Sequence, residues 1–157
     1  MLYTVRKINI LNLIGQFKVN NILFDCGKDM AAKYNLHHWD NSHLKNFIIV
    51  LLCELKNTVY LVEDKGYPIA TFQIKISDKA IHFEKLACSP KYAGKGIGSY
   101  CIGYIEQLAA KTNCNRICME VYSPSQHALE FYIHRGYKIC GEKETRKYSE
   151  VKMEKIL

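Results

Sequence analysis

Three glycines stand at alternate positions, Gly94, Gly96 and Gly98, within "KYAGKGIGSY", between a predicted strand and a predicted helix. In a glycine-rich turn of this kind several backbone N–H groups converge on one point, reinforced by the positive end of the helix dipole. Glycine lets a phosphate approach closely and supplies the positive φ that such a turn can require. Lys95 adds a positive charge at the rim. The sequence therefore predicts an anion site that suits a pyrophosphate.

Neither of the two common phosphate-binding patterns is present in this stretch. The nucleotide-hydrolase loop needs GxxxxGK followed by Ser or Thr, and the dinucleotide fingerprint needs GxGxxG, where this chain has Ser99 in the last place. The anion is thus not identified by these patterns.

A second group of polar residues lies on the preceding predicted strand, "AIHFEKLACS". Strict alternation would place His82 and Glu84 on one face together with Leu86 and Cys88. Either His82 or Glu84 could then act as a general base, directly or through a water molecule. The alternative for each is a solvated or hydrogen-bonded polar side chain.

The segment "NLHHWDNSH" combines three histidines, an aspartate and the only tryptophan. His37 and His38 are adjacent, so their side chains would diverge, and no second ligand pair follows at helical distance. We expect no metal site there.

The elements that must position these residues follow from periodicity. "YTVRKINI" predicts a first strand, and about residues 11–55 predict two or more helices with a loop near "NLHHWDNSH". Three antiparallel strands follow, "VYLVED", "YPIATFQIKIS" and "AIHFEKLACS", joined by turns at Lys65-Gly66 and Asp78-Lys79.

The stretch after the glycines predicts a helix that Asn113 ends. Its apolar positions recur at spacings of four, three and four, which places on one face Ile97, Cys101, Ile105, Leu108 and Thr112.

The chain then predicts a strand that runs directly into a second helix. "RICMEVY" alternates apolar and polar residues, and "SPSQ" offers Ser123 as N-cap, Pro124 at N1 and Gln126 closing a capping box. This helix continues to Gly136, and "YKICGE" and "VKMEKIL" predict two final strands. The fold class is mixed α/β, a largely antiparallel sheet flanked by helices.

Two blocks of the chain resemble the GNAT superfamily of N-acetyltransferases. "LACSPKYAGKGIGSY" is similar to the family's motif A, in which a strand and a proline precede Gln or Arg, two residues, Gly, one residue, and Gly or Ala. "SQHALEFYIHRGY" is similar to its NxxAxxFYxxxGF block. Two positions depart: Ala93 stands where the family usually has Gln or Arg, and Ser125 where it usually has Asn.

The resemblance implies an acyl-CoA N-acyltransferase fold that binds acetyl-CoA. It places the pyrophosphate over residues 94–99, the pantetheine arm beside the backbone of Leu86 and Cys88, and Ser125 near the thiol arm. The implied cofactor-binding residues are Leu86, Ala87, Cys88, Ala93, Gly94, Lys95, Gly96, Ile97, Gly98, Ser99, Ser125 and Tyr132.

The resemblance also implies roles in direct transfer to an amine. Tyr132 is expected to protonate the departing thiolate of CoA, and the backbone N–H of Cys88 to polarise the thioester carbonyl. The base is Glu84, His82 or a water relay. Trp39, Glu84 and Tyr122 are expected to contact the acceptor, on the side formed by the N-terminal helices. A core aromatic is the alternative for Tyr132, and a packed side chain for Trp39.

Composition is compatible with this interpretation. With 157 residues, 48% of them hydrophobic, we expect one domain, residues 1–157, with a cofactor-binding core at about residues 80–138. The longest apolar run, "FIIVLLCEL", is shorter than the roughly 20 residues that span a membrane, and the N-terminus lacks a secretory signal. We therefore expect a cytoplasmic protein without a membrane segment. Seven cysteines without a CxxC pair predict free thiols.

The expected function is transfer of an acetyl group from acetyl-CoA to a primary amine of a small molecule or a protein, without a metal. The alternative is a non-catalytic acyl-CoA-binding sensor or scaffold. The phosphates of the cofactor are an anionic ligand that suits the net charge of +7. Nucleic-acid binding ranks lower because the basic segment "EKETRKYSEVKMEK" interleaves acids with bases. A homodimer is a further expectation.

Overall fold

The computed structural model describes residues 3–157. The described part of the chain contains eleven α-helices and strands and one short 3-10 helix, Pro90–Tyr92. In chain order the elements are β1 Thr4–Ile8, α1 Leu13–Tyr34, α2 His43–Glu54, β2 Thr58–Asp64, β3 Tyr67–Ser77, β4 Ala80–Cys88, α3 Ile97–Lys111, β5 Arg116–Tyr122, α4 Gln126–Ile133, β6 Lys138–Glu144 and β7 Ser149–Ile156.

The strands form one seven-stranded sheet in the order β1-β2-β3-β4-β5-β7-β6. β1 pairs antiparallel with β2, as do β2 with β3, β5 with β7, and β6 with β7. β4 and β5 pair in parallel, with Ala80, Ile81 and His82 opposite Arg116, Ile117 and Cys118. The predicted fold class, a single mixed α/β domain with a largely antiparallel sheet, is confirmed.

Two tight turns explain why the central strands follow one another directly. Lys65 and Gly66 have φ of 50° and 86°, and Asp78 and Lys79 have φ of 51° and 58°. Two consecutive residues with positive φ are typical of the two-residue turns that match the twist of an antiparallel pair. Both turns lie where the sequence predicts them.

The contacts within the chain cluster into two compact units. The first contains the described residues up to Lys75 together with Lys85–Tyr104. Its apolar core joins α1 and α2 to the strands, and consists of Ile8, Val19, Ile22, Leu23, Val50, Val59, Leu61 and Ala87. Cys26 and Trp39 pack against this core.

The second unit contains Ile76–Glu84 and Ile105–Leu157. Its core includes three aromatic rings: Phe83 of β4 lies 5.9 Å from the ring of Tyr132 and 6.4 Å from that of Tyr137. On β5, Ile117, Met119 and Val121 are buried, as the alternation of "RICMEVY" predicts. Gly136, with φ of 83°, follows α4 and confirms the predicted left-handed stop.

The predicted start of α4 is wrong. The helix begins at Gln126, with Ser125 as an N-cap that makes no side-chain capping bond. Gln126 does not close a capping box, because its Nε2 donates to the carbonyl of Ser123 at 3.3 Å. Ser125 N–H donates to Tyr122 O at 2.8 Å, so a turn occupies the positions assigned to the first helical residues.

The predicted buried face of α3 is only partly correct. Ile97, Cys101 and Ile105 are buried, but α3 ends at Lys111 and Thr112 is exposed. Asn113, with φ of 54°, lies just after the helix and provides the predicted stop.

The alternation predicted for His82 to Cys88 is interrupted. Lys85 has a φ of 50°, which is outside the region that extended strands occupy. His82 and Glu84 precede the interruption, whereas Leu86 and Cys88 follow it. A shared face for all four side chains therefore cannot be inferred from alternation.

All seven cysteines are free thiols in the structure. No helix within residues 3–157 is both long enough and apolar enough to cross a membrane.

We predict that Gly27→Ala destabilises the protein. A Cβ at Gly27 would lie 2.3 Å from the backbone oxygen of Trp39, so the loop after α1 would have to move. We expect the free energy of unfolding to fall by about 1–3 kcal/mol in urea denaturation. Gly103→Ala on α3 is the matched control, since its Cβ would meet no atom within 4 Å. The control should gain roughly 0.5–1 kcal/mol, and equal effects of the two substitutions would contradict the packing assigned to Gly27.

Candidate functional site

The glycine turn, residues 93–99, connects the end of β4 to α3 within the first unit. Ser89 N–H donates to Ile69 O at 2.8 Å, which fixes the chain as it leaves the sheet. The 3-10 helix follows, closed by bonds from Tyr92 N–H to Ser89 O at 2.9 Å and from Ala93 N–H to Pro90 O at 3.1 Å. Hydrogen bonds therefore fix the chain immediately before the glycine turn.

Two of the three glycines adopt the left-handed conformation. Gly94 has φ of 73° and Gly96 has φ of 75°, as the anion-site prediction requires. A Cβ at either position would meet no atom within 4 Å. Glycine is therefore needed for backbone conformation, and the space beside the turn is open to a ligand.

The start of α3 presents backbone donors at this turn. Gly96 O accepts the first helical bond, from Tyr100 N–H at 3.0 Å. The N–H groups of Ile97 and Gly98 belong to the first turn of the helix, whose donors have no intrahelical acceptor. The Ile97 side chain is buried, so only its backbone can contact a ligand. Lys95 is exposed, and its Nζ lies 4.9 Å from the centre of the Tyr92 ring.

The thiol of Cys26 lies beside the end of β4, a contact that the sequence did not predict. Burial raises the pKa of Cys26, on α1, to about 12, and the backbone N–H of Cys88 acts in the opposite direction because it stabilises the thiolate. Burial also raises the pKa of Cys88 to about 11. Ala87 is buried and Leu86 is half-buried. The N–H assigned to the thioester carbonyl therefore lies beside the Cys26 thiol.

In the second unit, His82 of β4 contacts Glu120 of β5. His82 Nε2 lies 2.7 Å from Glu120 Oε2, with 30% and 17% of the two side chains exposed. The register places His82 opposite Cys118, and Glu120 follows two residues later on the same face. Sequence reasoning missed Glu120, although its alternation with buried Met119 and Val121 marks it as a residue of the opposite face.

The contact changes the protonation of both groups. The hydrogen bond to Glu120 raises the pKa of His82, against the lowering effect of burial, and Glu84 adds a weaker electrostatic effect. The same bond lowers the pKa of Glu120. Lys143 Nζ of β6 lies 3.7 Å from Glu120 and 3.7 Å from Glu150 of β7. The side chains of His82, Glu120, Lys143 and Glu150, on β4, β5, β6 and β7, thus form a continuous series of contacts.

Tyr132, another predicted site residue of the second unit, belongs to the aromatic core of that unit. Tyr132 is 8% exposed and packs against Phe83, Phe131 and Tyr137. Because Phe83 and His82 are adjacent on β4, Tyr132 and His82 lie on opposite faces of that strand. The structure therefore does not bring these two candidates together.

Two further candidates lie near the end of β5. The Tyr122 ring packs edge-on against Tyr148 at 5.3 Å. Ser125 is buried, and its carbonyl accepts bonds from Ala128 and Leu129.

The histidine-rich loop is held by local contacts. His37 lies 3.3 Å from Asp40 and 3.0 Å from Asn35, and Trp39 packs against the core of the first unit. Within residues 3–157 no group of three or more His, Cys, Asp or Glu side chains is arranged to hold a metal ion.

A model of the Acetyltransferase (GNAT) family matches residues 23–137. The chain therefore belongs to the GNAT acetyltransferase family, as the two sequence blocks indicate.

Known proteins are similar to this chain in part of the sequence or in the fold. The uncharacterized protein YdhI of Bacillus subtilis is 22% identical over 117 residues, which are 74% of this chain and 72% of YdhI. The fold is similar to that of the PaiA N-acetyltransferase from Thermoplasma acidophilum in complex with coenzyme A (TM-score 0.75, 18% identity, 100% of each chain). It is also similar to the ribosomal-protein-S18-alanine N-acetyltransferase of Escherichia coli (TM-score 0.70, 13% identity, 98% of this chain and 92% of the other).

We predict that His82 titrates above the ordinary histidine pKa of about 6.5. Glu120→Gln should lower this pKa, because it removes the negative charge that favours the imidazolium. Proton NMR of the imidazole resonances as a function of pH measures the His82 pKa. The variant His82→Gln identifies which resonance belongs to His82. Glu84→Gln is the matched control and should cause a smaller decrease. An unchanged His82 pKa in Glu120→Gln would contradict the contact.

Proposed function

We propose that this protein transfers the acetyl group of acetyl-CoA to a primary amine of a small molecule or a protein. The observation that supports the proposal is the glycine turn, whose left-handed glycines and helix start suit an anion, in a chain of the GNAT family. The cofactor-binding core spans about residues 80–138, and the N-terminal helices at about residues 11–55 lie on the acceptor side.

The residues present fit the phosphates of the cofactor. The N–H groups at the start of α3 donate, the Lys95 ammonium supplies charge, and the space above Gly94 and Gly96 is open. Ala93 replaces the usual Gln or Arg and offers no side-chain donor, so backbone groups carry most of the binding. We expect an affinity weaker than a side-chain donor at this position would give.

The remaining cofactor contacts are proposed from the family resemblance. Leu86, Ala87 and Cys88 offer strand backbone for the pantetheine arm, and Ser125 and Tyr132 are assigned to its thiol end. Acetyl-CoA supplies the acetyl group as a thioester, whose C–S bond breaks as the C–N bond to the amine forms.

Two proton transfers accompany this step. His82 lies on the face of β4 opposite to Tyr132, so it accepts a proton from the acceptor amine through a water relay; its imidazole is oriented by Glu120 and made more basic by it. The Tyr132 hydroxyl donates a proton to the departing thiolate. Glu84 remains a second candidate for the base. The Cys88 N–H donates to the carbonyl oxygen, in competition with the Cys26 thiol.

The acceptor is proposed as a primary amine whose contacts include Trp39, Glu84 and Tyr122. A carboxylate such as Glu84 favours binding of a cationic amine, and His82 then supplies the base that neutralises it.

We predict acetyl-CoA-dependent release of free thiol with at least one acceptor from a panel of polyamines, amino acids, aminoglycosides and lysine peptides. Tyr132→Phe should lower kcat by about 10²–10⁴-fold while calorimetry shows unchanged affinity for acetyl-CoA. Phe131→Leu is a packing control on the same helix and should retain most of kcat. Binding without thiol release from any acceptor would instead favour a sensor or scaffold, and absence of binding would contradict both functions.

We also predict that the acid limb of kcat/KM follows the pKa of His82. Protonated imidazole cannot accept a proton, so the rate should rise as pH increases through this pKa. In Glu120→Gln the acid limb should move to lower pH by as much as the substitution lowers the His82 pKa measured by NMR. The pKa of the acceptor amine is unaffected by this substitution, so an identical limb in both proteins would exclude His82 as the base.

A further inference from the structure

Lys143 of β6 and Glu150 of β7 lie on the face of the sheet that carries Glu120. In the pairing of β6 with β7, Lys143 is directly opposite Glu150, and in the pairing of β5 with β7, Glu150 is directly opposite Tyr122. Directly opposite residues of an antiparallel pair point to the same side of the sheet. Glu120 and Tyr122 share a face of β5 because they are two residues apart. Strand register therefore brings Lys143 and Glu150 to the side on which Glu120 contacts His82.

The Glu120 carboxylate has a different partner at each of its two oxygens. Its Oε2 lies 2.7 Å from His82 Nε2, and its Oε1 lies 3.7 Å from Lys143 Nζ. The Lys143 Nζ also lies 3.7 Å from Glu150 Oε2. Partners at both oxygens restrict the rotation of a carboxylate. Lys143 therefore limits the orientations in which Glu120 can hold the imidazole of His82.

We propose that Lys143 is a positioning residue for the acetyl transfer and that it acts on the imidazole of His82 through Glu120. Its ammonium holds the Glu120 carboxylate in the orientation that contacts His82. Glu150 holds the ammonium from the other side, which matters because 47% of the Lys143 side chain is exposed. The catalytic part of this inference rests on the proposed function, in which His82 is the base.

The charge of Lys143 opposes the effect of Glu120 on His82. The hydrogen bond to Glu120 raises the pKa of His82, burial lowers it, and the Lys143 ammonium lowers it further because a nearby positive charge disfavours the imidazolium. Without Lys143 a larger fraction of His82 would be protonated near neutral pH and unable to accept a proton. Lys143 therefore keeps the base available at a lower pH than Glu120 alone would allow.

Other ionisable groups face His82 and Glu120 from the same and the neighbouring strands. Glu84, two residues after His82 on β4, also raises the pKa of His82, by less than Glu120 does. Lys152 of β7 is directly opposite Glu120 and lowers the pKa of Glu120 by less than Lys143 does. The remaining groups surround Cys118, which is opposite His82, and are Arg116, Glu154 and Cys140.

The imidazole titration of His82 by proton NMR tests the proposal without any acetyl transfer. Lys143→Gln should raise the His82 pKa, because it removes the positive charge beside Glu120. Lys143→Arg retains this charge and should leave the pKa close to the wild-type value. Lys138→Gln is the matched control, since it removes the same charge from an exposed position of the same strand. An unchanged or lower pKa in Lys143→Gln, or an equal rise in the control, would overturn the proposal.

A double variant separates an effect through Glu120 from a direct effect of the ammonium on His82. If Lys143 acts through Glu120, Lys143→Gln should raise the His82 pKa less in the Glu120→Gln background than in the wild-type background. Equal rises in the two backgrounds would show a direct effect through space and would overturn the assignment of Lys143 as a positioning residue. Circular dichroism should show that all variants remain folded.

The pH profile of kcat/KM connects this effect to catalysis. In Lys143→Gln the acid limb should move to higher pH by as much as the substitution raises the His82 pKa, and Lys143→Arg should restore the wild-type limb. An acid limb that stays in place while the pKa rises would overturn the catalytic role of Lys143 together with that of His82. An unchanged pKa would overturn the role of Lys143 alone, so the two failures are distinguishable.

Discussion

The turn between β4 and α3 depends on a backbone conformation that side chains strongly disfavour. At Gly94 and Gly96 the chain is left-handed, and glycine alone adopts it at no steric cost. This conformation brings the chain from the hydrogen-bonded 3-10 helix to the first N–H groups of α3. Those donors exist in every helix, and glycine at positions 94 and 96 leaves the space beside them open to a bulky phosphate. The proposed anion site therefore depends on backbone donors, which do not require a polar side chain at Ala93.

The second unit separates its apolar and its ionisable groups by strand alternation. Phe83 points into an aromatic core with Tyr132 and Tyr137, whereas its neighbour His82 points to the other face. There Glu120 holds the imidazole, and Lys143 and Glu150 continue the series of charges. A buried core fixes the strand, and the fixed strand keeps the ionisable pair in register. In this arrangement the hydrogen bond to Glu120 has the largest effect on the pKa of His82 and outweighs the lowering effect of burial.

The features that depend on local chemistry could be predicted from the sequence. The turns at Lys65-Gly66 and Asp78-Lys79, the alternation of β5 and the left-handed glycines all follow from the residues themselves. The start of α4 could not, because Ser125 N–H bonds to Tyr122 and the preceding turn competes with the capping box. The interruption at Lys85 leaves no signal in residue type. Glu120 and Cys26 become candidates only when strand register and helix packing are known, since each lies far along the chain from its contact.

Backbone amide resonances during a titration with coenzyme A test the central claim most directly. Binding of the phosphates at the glycine turn predicts saturable shifts that are largest for Gly94, Gly96, Ile97 and Gly98, with smaller changes at other helix starts. Inorganic pyrophosphate should shift the same amides at higher concentration, because the turn recognises the anion. Saturable binding of coenzyme A that leaves these amides unchanged, or no binding, would contradict the account.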